Sequence, residues 1–97
     1  MPEFIIGEWK VTSRVNTNTG EALDLTFPTV SIYKNELSYG DAYRAEYSFI
    51  EEDLLFVDNK RLTGGENWRL EKDGENLIVY QEFQGFKSTI TLERIAR

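Results

Sequence analysis

Hydrophobic and polar residues alternate with a period of two along nearly the whole chain. In the first segment Trp9, Val11, Ser13 and Val15 share one face of an extended strand, while Glu8, Lys10, Thr12 and Arg14 share the other. The pattern predicts a strand that begins on Gly7-Glu8-Trp9, with one wet and one mostly dry side. A turn cluster follows at Asn16–Gly20, and Leu23, Leu25 and Phe27 then alternate up to Pro28, which interrupts a ladder because it has no N–H.

Thr29–Tyr33 and Leu37–Tyr39 read as a hairpin turned at Lys34-Asn35-Glu36. Gly40-Asp41 turns the chain again. Tyr43, Ala45, Tyr47 and Phe49 then occupy one face, and Arg44, Glu46 and Ser48 the other. Glu51-Glu52-Asp53 is a solvated turn before a short strand at Leu54–Val57. Asp58–Asn67 is the longest irregular stretch. Trp68 and Leu70 resume the alternation, Asp73-Gly74 marks a hairpin turn, and Leu77, Val79, Gln81 and Phe83 line the next strand. After a turn at Gln84-Gly85 the last strand places Phe86, Ser88, Ile90 and Leu92 inside.

The expectation is an all-β domain of eight or nine short antiparallel strands in sequence order, covering residues 1–97. Closure into a barrel removes the exposed edges that an open sheet would leave. The one helical candidate is a single turn at Pro2–Ile6. The interior candidates are Trp9, Phe27, Tyr43, Tyr47, Phe49, Trp68, Phe83 and Phe86. Eight strands leave an interior just wide enough for side chains or one small ligand, and so many rings favour a filled one.

Composition narrows the chemistry. The 97 residues contain no cysteine and no histidine, which removes thiolate nucleophiles, thiolate metal sites and the commonest general base. Seventeen acidic residues against eleven basic ones give a net charge of −6, which repels nucleic-acid backbones and anionic membrane surfaces. No stretch has the form of a signal peptide or a membrane span, so the expected location is cytoplasmic.

Gly7-Glu8-Trp9 at the head of the first strand and Thr91-Leu92-Glu93-Arg94-Ile95 at the end of the last resemble the lipocalin, or calycin, pattern. The hairpin Trp68–Tyr80 is similar to one found in small bacterial lipocalin-like domains. The resemblance implies a lipocalin-like barrel whose floor is closed by Trp9, with Arg94 covering the indole and Gly7 opening the strand. It also implies a non-enzymatic binding protein, without cofactor or metal. Such a protein holds a small apolar ligand at the barrel mouth or a protein partner on its rim. Tyr43, Tyr47, Trp68 and Phe83 are the expected inner wall.

A second resemblance is to staphostatins, small barrels that inhibit papain-like cysteine proteases through a loop glycine before the last strand. It implies an inhibitory loop at Gln84, Gly85, Phe86 and Lys87, although the small hydroxyl residues that follow the glycine in that family are absent here. The two readings differ in what they require. A carrier needs a cavity of a few hundred Å³ or more; an inhibitor needs a filled barrel and an extended, exposed loop over 84–88.

Two other groupings carry less. Glu51, Glu52 and Asp53 have no nucleophile or phosphate cradle beside them and read as a solvated turn. Asp58, Asn59, Glu66 and Asn67 flank Gly64-Gly65 with oxygen ligands, but their spacing is not that of a calcium loop.

Overall fold

In a computed structural model the chain forms eight strands. The structure describes residues 2–25, 27–40, 43–58 and 65–96, the last strand ending at Ala96; the side chains of Tyr43 and Ala96 are outside the description. The strands are β1 (Gly7–Asn16), β2 (Thr29–Ile32), β3 (Glu36–Tyr39), β4 (Tyr43–Glu51), β5 (Leu54–Asp58), β6 (Glu66–Asp73), β7 (Asn76–Phe83) and β8 (Phe86–Ala96). Each pairs antiparallel with the next, and β8 pairs with β1 to close the barrel. No helix among the described residues is long and apolar enough to cross a membrane.

The core follows the period of two. Trp9 and Val11, Val30 and Ile32, Leu55 and Val57, Trp68 and Leu70, and Leu77 and Val79 are all buried, with solvated or half-buried neighbours between them. Two hairpins are tight for identifiable reasons. Gly74 and Glu75 link the paired residues Asp73 and Asn76, and the positive φ of Gly74 at the first loop position suits a turn that matches strand twist. The loop therefore lies one residue beyond the Asp73-Gly74 reading. Gln84 and Gly85 link Phe83 and Phe86, both with positive φ, as in a type I′ turn.

The structure departs from the sequence pattern at three places. Residues 2–5 form a turn, not a helix; Ile5 is fully buried and its carbonyl accepts the Trp9 indole N–H at 2.9 Å. Leu23–Phe27 forms no ninth strand. The segment leaves β1 after Leu23 N donates to Arg14 O, and the β1–β2 ladder resumes only where the Pro28 carbonyl accepts from Val11 N.

The third departure is a bulge in β1. Val11 pairs with Leu92 but Ser13 pairs with Thr91, so Thr12 is an extra residue. Beyond it every side chain of β1 changes face. Arg14 stands opposite inward Ile90, and Val15 opposite outward Thr89, the reverse of the expected assignment.

Candidate functional site

The two ends of the barrel are built differently. At one end Trp9 is fully buried. The Arg94 guanidinium lies 4.2 Å from the Trp9 ring centroid and 4.9 Å from that of Phe4. Its two terminal nitrogens donate to the carbonyls of Ile6 and Phe4. Lys72 covers the Phe4 ring at 4.5 Å. Arginine suits this place because its planar fork can stack and donate at once. Gly7, with φ 138°, lets the chain pass from the turn at 2–5 into β1.

The other end is open. A cavity of about 300 Å³ lies between the strands there. Its deep wall is Val11, Val30, Trp68, Val79 and Leu92, all buried. Its rim is Leu25, Phe27, Phe83, Phe86 and Ile90, of which Phe86 is 45% exposed. The connection between β1 and β2 that failed to become a strand thus supplies Leu25 and Phe27 to the mouth. The rings do not fill this half of the interior, contrary to the expectation from their number. Phe83 and Phe86 face each other on the last rung of the β7–β8 hairpin.

Four residues bring polar chemistry to this apolar cup: Arg14, Tyr39, Glu66 and Gln81. Glu66 is the least expected, a carboxyl group only 5% exposed. Its Oε1 accepts from Tyr39 Oη at 2.8 Å and from Trp68 Nε1 at 2.9 Å. The Tyr39 ring meets Trp68 edge-on at 6.3 Å and Phe27 at 5.4 Å. Gln81 Oε1 accepts from Ser88 Oγ at 3.0 Å. Arg14 donates from Nη1 to Asp24 O at 2.9 Å, which ties it to the β1–β2 connection.

Gly65 explains how Glu66 enters the barrel. Its φ of +64° belongs to the left-handed region, and a Cβ there would lie 2.7 Å from both the Val57 carbonyl oxygen and the Phe56 ring. Only glycine turns the chain sharply enough at this point to bring the next residue inward at the start of β6. Glu66 faces in and Asn67 faces out, so the two cannot share a cation, which removes the calcium arrangement. Asn59 of that grouping lies outside the described residues.

Of the four expected wall residues, Trp68 and Phe83 line the cavity. Tyr47 does not. It is buried away from the cup, donates its hydroxyl to Tyr33 O at 2.6 Å and packs edge-on against Phe49 at 6.1 Å. Burial holds the Tyr47 phenol above its usual pKa, partly offset by a hydrogen bond at Asn35. The side chain of Tyr43 lies outside the described residues; its backbone pairs with Tyr39. Tyr80 is on the outer surface, where donation to Glu71 at 2.8 Å raises its pKa.

The loop proposed for protease inhibition is corrected by its geometry. Gln84 and Gly85 form a tight two-residue turn, while Phe86 and Lys87 already pair with Phe83 and Glu82. No extended segment is presented there.

Two cavity residues escaped the sequence reading. Glu66 was legible, since it stands two positions before Trp68 on the same strand face. Arg14 was not, because the bulge that turns it inward has no glycine or proline to announce it. No family model matches this chain, and neither a curated protein nor a solved structure matches it significantly.

Proposed function

We propose that this protein binds a small, largely apolar molecule in the cup at the open end of its barrel, as a non-enzymatic lipocalin-like binding domain. The cavity carries this reading. At about 300 Å³ it reaches the lower bound of ordinary ligand pockets, and its surface is mainly apolar with a few convergent polar groups. At about 30 Å³ per water it has room for a ligand of on the order of ten non-hydrogen atoms. That is too little for a long acyl chain and suits a short aliphatic or single-ring compound. The likeness to small lipocalin-like barrels is supported by the eight-strand meander and by Arg94 stacked over Trp9.

Displacement of an environment-sensitive naphthalenesulfonate dye, read together with tryptophan emission, tests the reading. Trp68 lines the cup and Trp9 does not, so ligand entry is expected to alter the emission of the protein but not that of Trp68→Phe. Failure of the dye and of a panel of short aliphatic and single-ring compounds to bind at millimolar concentration would sink the proposal.

A further inference from the structure

The cup has a polarity that its apolar lining does not require. Among the described residues Glu66 is the one carboxylate in its wall, 5% exposed, and none of their Lys or Arg side chains forms an ion pair with it. Both hydrogen bonds it accepts go to Oε1. Oε2 accepts none from the described residues, and it is not among the sealed atoms without a partner, so it opens on the cavity. A buried carboxylate with an open oxygen is costly unless a donor or a cation completes it.

The surroundings suit a cation. Tyr39 and Trp68 fix the carboxylate through Oε1, so Oε2 needs no rearrangement to receive a donor. The rings of Phe27, Tyr39 and Trp68 line the same cavity, and aromatic faces attract ammonium groups. The net charge of −6 favours the approach of cations over anions.

We propose that the ligand of the cup is a small organic amine, whose ammonium seats on Glu66 Oε2 and whose short apolar body lies against Val79, Ile90 and Phe83. This rests on the reading of the cup as a ligand site and names the ligand class.

The test compares hexylamine, hexanol and hexanoate, and phenethylamine with 2-phenylethanol, by isothermal titration calorimetry at neutral pH. A charge-assisted hydrogen bond is about twice as strong as a neutral one, so each amine is expected to bind roughly tenfold tighter than its alcohol. Glu66→Gln keeps an acceptor for Tyr39 and Trp68 and is expected to abolish that preference while leaving alcohol binding within about twofold. A thermal melt checks that the variant folds, and the wild-type ligand ranking is decisive without it. Equal binding of amine and alcohol, or tighter binding of hexanoate, would overturn the amine assignment while leaving the cup as an apolar ligand site. If none of the compounds binds, both the assignment and the site fail.

Discussion

The closed and open ends of this barrel use the same kinds of residue to opposite effect. At the closed end a tryptophan is packed on every side, its N–H is taken by Ile5, and a cation stacks on its face. At the open end a second tryptophan is also buried, but its N–H holds a carboxylate and its ring borders an empty volume. Both indoles are satisfied. The difference lies in what stands beyond them. Residues 2–5 and the end of β8 fold over Trp9, whereas among the described residues Leu25, Phe27, Phe83 and Phe86 form the rim of the mouth above Trp68. One end spends its aromatic surface on stability and the other keeps it available.

The comparison is broken most strongly at Trp9. Trp9→Ala is expected to cost about 3–5 kcal/mol, seen as a lowered urea midpoint, because a filled site cannot collapse around so large a loss. Phe83→Ala is expected to cost about 1 kcal/mol or less, since its side chain is half-buried and borders existing space, yet to weaken ligand binding. Equal losses at the two sites would show that the open end is packed in solution.

Gly65→Ala couples the two properties. A left-handed non-glycine residue costs about 1–2 kcal/mol, and the Val57 carbonyl leaves no room for the added carbon. The variant is expected to lose that stability in urea unfolding and to lose ligand affinity with it, because Glu66 follows directly. Unchanged binding would mean that Gly65 does not place Glu66.

Tyr47 sharpens the contrast through pH. Its phenol is held above the usual value by burial, so the stability gained from keeping it protonated is full below pH about 10 and fades as pH rises through the raised value. Melting temperatures between pH 8 and 11.5 are expected to fall at the alkaline end. Tyr47→Phe loses its bond to the Tyr33 carbonyl, about 1 kcal/mol, and is expected to lessen the alkaline fall. An equally steep fall in the variant would assign the pH dependence to other groups.

The smallest effect is expected from deletion of Thr12. The deletion removes the extra residue of the bulge and leaves Val11 and Arg14 on the faces they already occupy. It is expected to cost less than about 1 kcal/mol in urea unfolding and to leave the ligand ranking unchanged. Deletion of Lys10 can also absorb the bulge, but it turns Val11 out and Thr12 in, so it is expected to cost more in urea unfolding than deletion of Thr12, and equal losses would refute the assigned register.

Much of this molecule could be read from local pattern. Alternation marked the strands because a side chain's face depends only on whether its position is odd or even. It placed Trp9, Trp68, Leu77 and Leu92 inside, and Gly74 and Gly85 lay at tight turns because their backbone freedom is a local property. The same alternation extends back to Glu66, but a charged residue beside Gly64-Gly65 reads as loop, and it was missed. The face of Arg14, the distance of Tyr47 from the cup and the space left below Phe83 were decided by tertiary structure alone. Each depends on pairing between distant strands: the bulge at Thr12 exists only against Thr91 and Leu92, and the cavity lies between side chains brought together from different strands. A period of two assigns faces within one strand, but register across strands determines which faces meet and whether they leave a gap.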